Sequence, residues 1–350
     1  MKAMPSTSRR ASIELTERDI RLLRGLFECR VMTIRHLAAF HFGGSVEAAT
    51  KRVQKLKAAG YVRERPRRAF EPSVLSLSRR AFAVLQDRGI LAEYPRVGWA
   101  QLEKRARVSE LTLRHELSVM DVRAAFFAAL HGHPTCQLIE FCTWPLLFRF
   151  RASPGPGQPD SLVRPDGFIR VLERLEGGHE VEHVFFLEVD RGTEPQSTLA
   201  IKAACYGDFY RRGGMAARHG RPRSEYKAYP FRVLVICHTT ERCNNAALHM
   251  LRNTPPTLTQ VLLGTIDRTL ADSLGPVWTR PVDVRDAMVG AGFDPPETGD
   301  PSVYARDVKR EAYIAQHVRQ IGLFANARPM AGQPSPSHAT QYRRRRRAPK

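Results

Sequence analysis

Long apolar runs are missing from this 350-residue chain: no stretch approaches about 18 uninterrupted apolar residues, so a helical membrane span is excluded. The opening residues, MKAMPSTSRRASIELTERD, lack the apolar core of a secretory signal. Together these point to a cytoplasmic protein without a membrane partner. Paired cysteines are missing as well. Cys29, Cys136, Cys142, Cys205, Cys237 and Cys243 are scattered with no Cys-x-x-Cys unit, which argues against a structural zinc site and a disulfide framework and leaves six free thiols. Lysine is scarce too, with nine residues, so the positive charge is mostly arginine.

What is present is a hydrophobic fraction of 43%, enough to exclude global disorder, in a chain longer than one domain of roughly 100–150 residues. The net charge is +20, which directs attention to an anionic partner, nucleic acid first. That charge is unevenly placed. Residues 1–90 hold 19 basic and 8 acidic side chains, and Arg343 to Arg347 with Lys350 add six more cations at the other end. Residues 160–194 run the other way, with nine carboxylates against four arginines.

The basic first part has a readable element order. Thr16 caps a helix to about Glu28 with a stripe of Ile20, Leu22, Leu23, Leu26 and Phe27. Thr33 caps a short second helix, and Ser45 caps a third through Val46, Ala49, Val53 and Leu56 that Gly60 ends. Strands at Tyr61–Arg65 and Ser73–Leu77 flank the turn-prone PRRAFEP as a hairpin, and residues 78–90 form a closing helix that offers a homodimer contact. Three helices and a hairpin give a winged helix-turn-helix. Lys51, Arg52, Lys55 and Lys57 on the third helix and Arg63, Arg65, Arg67 and Arg68 on the hairpin are the candidate contacts to double-stranded DNA. About six phosphate contacts would give a slope near −5 for log affinity against log salt. A solvated basic face is the plain alternative for the same residues.

The middle of the chain alternates. An amphipathic helix from Leu111 to about Leu130 precedes strands near Gln137–Cys142, Leu146–Arg149, Val163–Leu172 and Val184–Val189. A helix over Pro195–Arg211, a strand at Phe231–Cys237, a helix over Arg242–Leu251 and a further strand in LTQVLLGTI complete an α/β layer pattern. His179, Glu180 and His183 spell His-Glu-x-x-His, but two glycines precede them and the stretch alternates as a strand, where residues four apart lie about 13 Å apart. Two ligands so separated cannot chelate one ion.

Arg164, Pro165, Asp166 and Gly167 are followed by Glu188, Val189 and Asp190 on another strand. Paired strands would bring Asp166 and Glu188 together as hard oxygen ligands for Mg²⁺. This stretch resembles the PD-(D/E)XK nucleases, with Asp190 standing where that pattern has lysine. Lys202 on the next helix, with Tyr206 one turn on, takes the place of a migrated lysine, and Glu116 is a further candidate ligand. The same carboxylates can also cap helices or pair with Arg164 and Arg191. The departure at Asp190 favours a nuclease-like platform that is not an enzyme. A metal-dependent nuclease or nickase, with Asp166, Glu188, Asp190 and Lys202 as its catalytic set and Mg²⁺ as its cofactor, is the second reading.

A basic winged helix, then His115 and Glu116, RPDGFI, and FFLEVDRGTE before a helix with Lys202 and Tyr206, is similar to the replication-relaxation family over roughly residues 14–250. The resemblance implies a DNA-binding protein of plasmids or other mobile elements, engaged in replication, DNA relaxation or conjugative mobilisation with partner proteins of those processes. The expected architecture is mixed α/β. It comprises a flexible start (1–12), a winged helix-turn-helix (13–92), a linker (93–110), a restriction-endonuclease-like α/β domain (111–255), a C-terminal extension (256–325) with a helix within Pro301–Phe324, and a disordered basic tail (326–350).

Overall fold

The computed structural model describes residues 13–143, 148–293, 308–325 and 330. The expectations for residues 1–12 and for the tail beyond Met330 lie outside them. The chain divides into two compact units, one of residues up to Met120 and one from Asp121 onward.

In the first unit, α1 (Glu17–Glu28), α2 (Ile34–His41) and α3 (Val46–Ala58) start where the capping residues stand. Thr16 and Asp19 form a reciprocal capping box on α1, and Thr33 and His36 form one on α2. Ser45 accepts from the Ala48 amide to begin α3. The two-residue β1 (Met32–Thr33), which sequence reading missed, pairs antiparallel with β3 (Val74–Leu77), and β3 pairs with β2 (Val62–Glu64), giving the order β1-β3-β2. α4 (Arg79–Asp87) follows, capped by Ser78. The core is the expected helix stripe, Leu22, Leu23, Leu26 and Phe27, closed by Leu37, Val53, Leu56, Leu75 and Leu77.

Residues 93–110 are not a bare linker. They hold α5 (Trp99–Ala106), whose Leu102 is buried and whose Trp99 ring lies 6.0 Å from Phe82. The apolar positions are too few to show a helical period, yet they close the unit's core. α6 (Glu110–Leu130) contains the division between the units, so the boundary falls inside a helix rather than ahead of it.

The second unit is built on a five-stranded sheet of order β10-β9-β8-β7-β4. β4 (Cys136–Cys142), β7 (Gly167–Arg174) and β8 (Glu180–Val189) pair antiparallel; β8, β9 (Arg232–Cys237) and β10 (Val261–Thr265) run parallel. A short hairpin of β5 (Phe150–Ala152) and β6 (Ser161–Val163) stands apart. The strand expected at Leu146–Arg149 begins instead at Phe150, and residues 144–147 lie outside the described part. Around the sheet are α7 (Gln196–Arg211), α8 (Gly214–Arg218), α9 (Thr240–Leu251), α10 (Ile266–Ala271), α11 (Pro281–Gly290) and α12 (Val308–His317). β10 therefore belongs to the sheet itself, not to an appended extension. Met330, in the stretch expected to be disordered, donates its amide to the Glu182 carbonyl at 2.9 Å.

Period-two alternation on β8 directs Val184, Phe186 and Glu188 to one face. There Phe148, Phe150, Phe168, Phe209 and Tyr206 pack around Phe186, with ring centroids 4.9–6.4 Å from it. Glu188 is thus the last inward residue after an aromatic core. Beside it, Gly167 opens β7 opposite Leu187 at a crowded position, where a Cβ would meet Phe141 at 3.2 Å and Leu187 at 3.3 Å.

Candidate functional site

Asp166 and Glu188 do come together through paired strands. The Asp166 amide donates to the Leu187 carbonyl, and the Asp166 Oδ2 accepts from the Val189 amide at 2.8 Å. That carboxylate ties the end of β8 to the start of β7. Glu188 is buried at 3% exposure, and both its oxygens are engaged: Lys202 Nζ lies 3.2 Å from Oε2, and the Tyr206 hydroxyl donates to Oε1 at 2.6 Å. Lys202 and Tyr206 reach it together because residues one turn apart share a helix face. Lys202 also donates to Glu194 at 3.1 Å, adding a third carboxylate whose place beside Glu188 no spacing in EVDRGTE foretells.

Burial pushes the Glu188 carboxyl up to about 7; Lys202 and the Tyr206 hydrogen bond act against this, while Asp166 adds to it. Burial opposes the Lys202 charge, but Glu188 and Glu194 outweigh it and hold the ammonium above its ordinary value. Burial and Glu188 carry Tyr206 well above its own.

Asp190 is not a member of this cluster's open chemistry. Arg242, at the start of α9, pairs with both its oxygens, with Nη2 to Oδ1 at 2.9 Å, and the Gly192 amide donates to Oδ1 at 3.0 Å. Nothing in the spacing of the sequence pointed to Arg242. Glu116 lies in the first unit, where Arg30 binds it at 2.8 Å. His183 is on the extended strand β8, buried and 2.7 Å from Glu173, so the His-Glu-x-x-His stretch presents no helix face to a metal.

Whether these residues suit Mg²⁺ is decided by the donors. Both Glu188 oxygens and both Asp190 oxygens already carry protein donors, and one Asp166 oxygen holds a backbone amide. Among the described residues no group of three or more His, Cys, Asp or Glu is arranged to hold a metal ion. As arranged, the set does not fit a hard cation that needs several open oxygens.

The basic candidates of the first unit separate into two sets. Arg52 donates Nε to Asp19 at 2.7 Å and Nη2 to the Glu14 carbonyl at 3.1 Å, while Asp19 is fully buried. Burial would raise the Asp19 carboxyl, but the Arg52 and Thr16 bonds outweigh it and hold it below the usual range. Lys57 pairs with Glu64, Arg63 with Glu103 at 2.8 Å, and Arg65 donates to the Val108 carbonyl at 2.8 Å. Lys51 and Lys55 are exposed one turn apart on α3; Lys51 pairs with the equally exposed Glu47. Arg67 and Arg68 are exposed in the β2–β3 hairpin, where Arg67 bonds Glu64 and the Glu71 carbonyl and so orders the loop. Arg52→Ala is expected to cost about 3 kcal/mol in urea unfolding, because it strips a buried carboxylate of its cation. A loss no larger than that of Lys55→Ala would show that Arg52 is not structural.

No curated protein and no solved structure matches the chain. A family model described as replication-relaxation matches residues 23–222, more than half of the chain and residues of both units. With RPDGF, EVDRGTE and the Lys202–Tyr206 helix inside that match, the chain belongs to the replication-relaxation family.

Proposed function

We propose that this chain binds duplex DNA through its first unit, read as a winged helix, in the replication or relaxation of a plasmid or other mobile element. The observation that carries the reading is that Lys51 and Lys55 on α3 and Arg67 and Arg68 in the ordered hairpin loop are all exposed. Exposed ion pairs such as Lys51–Glu47 contribute little and open readily to a phosphate. Phe70, 81% exposed at the same loop tip, gives the wing an apolar edge beside its cations. Arg52, Lys57 and Arg65 move from DNA contacts to scaffold in this reading, while the exposed Arg63, ion-paired with Glu103, stays a candidate beside the four.

With about four phosphates neutralised, log affinity against log salt should fall with a slope of about −4. Lys51→Glu with Lys55→Glu should bring that slope nearer to −2. Binding that is flat in salt, or a slope unchanged in the double variant, would sink the proposal.

The second unit acts as a nuclease-like platform without catalysis, since its carboxylates are already spoken for by Lys202, Tyr206 and Arg242. Metal-dependent nicking of supercoiled plasmid by the wild type, abolished in the Asp166→Ala, Glu188→Ala variant, would overturn this part.

A further inference from the structure

The parallel strands of the second unit have two ends, and the carboxylate cluster occupies the end where β8 finishes. At the other end, where β9 and β10 begin, lies a cavity of about 490 Å³. It falls within the size range of small-ligand sites, roughly 300–1,000 Å³.

Three arginines line it, Arg211 from the last turn of α7, Arg232 from the first residue of β9, and Arg280 just before α11, and among the described residues no Asp or Glu lines it. Two of the guanidinium groups are held in place. Arg232 donates to the carbonyls of Leu323 and Ala325 at 3.1–3.2 Å, and Arg280 is gripped by Asp283 through Nε at 2.9 Å and Nη2 at 2.6 Å. Burial and the neighbouring Arg280 push the Arg232 guanidinium down to about 10, the mark of cations crowded into a poorly solvated wall. Arg211 is exposed, and its guanidinium lies near a glycine. Gly207 sits inside α7, where glycine costs about 1 kcal/mol relative to alanine. A Cβ there would meet Arg211 Nη1 at 3.1 Å and Gln260 Oε1 at 3.5 Å, so Arg211 folds back along its own helix over this residue. Thr254, Thr257 and Thr259 add hydroxyls, and Tyr210, Phe231 and Pro255 give the cavity an apolar wall.

We propose that this cavity is a binding site for a nucleoside phosphate, with Arg211, Arg232 and Arg280 taking the phosphates and the Tyr210–Phe231–Pro255 wall taking the base. Planar guanidinium forks suit phosphate oxygens, Asp283 takes Nε and Nη2 of Arg280 and fixes the direction of its Nη1, and an anion relieves the repulsion between Arg232 and Arg280. The site is separate in the fold from the carboxylate cluster: Ala204, Gly207 and Arg211 lie on a different face of α7 from Lys202 and Tyr206. It does not depend on the DNA reading of the first unit.

The test is calorimetric titration of the full chain, without divalent metal, with pyrophosphate and with ATP to about 10 mM, weaker binding than that being of no use to a site. ATP is expected to bind at least tenfold more tightly than pyrophosphate. Arg211→Glu is expected to weaken both by about tenfold or more, as loss of a charge-assisted contact does, without moving the urea midpoint. Arg211→Gln, which removes the charge without reversing it, should weaken both to a smaller extent. No binding of either probe, or full binding by Arg211→Glu, would overturn the site. Equal affinity for pyrophosphate and ATP would overturn the nucleoside assignment. Were Arg211→Glu to unfold, the Arg211→Gln titration decides, and wild-type affinity there counts against the proposal.

Discussion

Arg170→Leu is expected to cost about 3–5 kcal/mol of unfolding free energy, a large part of the roughly 5–15 kcal/mol that holds a domain together. Arg170 is the centre of a buried triad across three adjacent strands. It binds Glu182 on β8 through Nε at 2.6 Å and Nη2 at 3.0 Å, and Glu140 on β4 through Nη1 at 3.2 Å. The three side chains are between 2% and 8% exposed. Without the guanidinium two carboxylates face each other in the sheet with no cation between them, and they must either protonate or draw water in. Replacing the triad as a unit, Arg170→Leu with Glu140→Leu and Glu182→Met, should recover most of the loss, because desolvation of the pair offsets much of its attraction. Urea unfolding of the single and triple variants near pH 7 measures this; a single-variant loss under about 1 kcal/mol would show the triad to be solvated.

A pH response is expected from Glu188. Its carboxyl titrates near 7 in the folded chain, against 4.5 as its ordinary value. The folded state thus binds the proton more tightly than the unfolded one. This group's contribution is fully present below about 4.5 and is lost as pH rises through about 7. The full range corresponds to about 3 kcal/mol as an order of magnitude. Glu188→Gln keeps the shape and neutrality of the protonated form at every pH, so it should flatten the stability profile between about 4.5 and 7. Identical profiles for wild type and Glu188→Gln would show that burial does not perturb this carboxyl.

Much of the first unit was legible in the sequence because its signals are local. Thr16, Thr33 and Ser45 cap the next helix within three residues, and the apolar stripe of α1 repeats at helical spacing. β1 was not legible, since two residues carry no periodicity and become a strand only by pairing with β3. α5 was hidden for a similar reason: Trp99 and Leu102 are anchored by Phe82 and the unit's core, not by a repeat of their own. In the second unit the strands of the sheet could be read from their apolar runs. Its order, β10-β9-β8-β7-β4, and the membership of β10 required the pairing.

The candidate site divides along the same line. The approach of Asp166 to Glu188 followed from two strands and a spacing, and the reach of Lys202 and Tyr206 followed from one helical turn. The partners that close the carboxylates, Arg242 on Asp190 and Glu194 sharing Lys202, did not follow from either.

By itself the sequence determined where charge is concentrated, which segments form helices and strands, and that an acidic cluster sits between basic ends. Only the tertiary structure decided which of those charges remain available. Ion pairing depends on distance in space, and Arg52 reaches Asp19 across 33 residues while Arg242 reaches Asp190 across 52. A count of charges treats each as free; folding ties Arg52, Lys57 and Arg65 to partners within the first unit and leaves Lys51, Lys55, Arg63, Arg67 and Arg68 exposed.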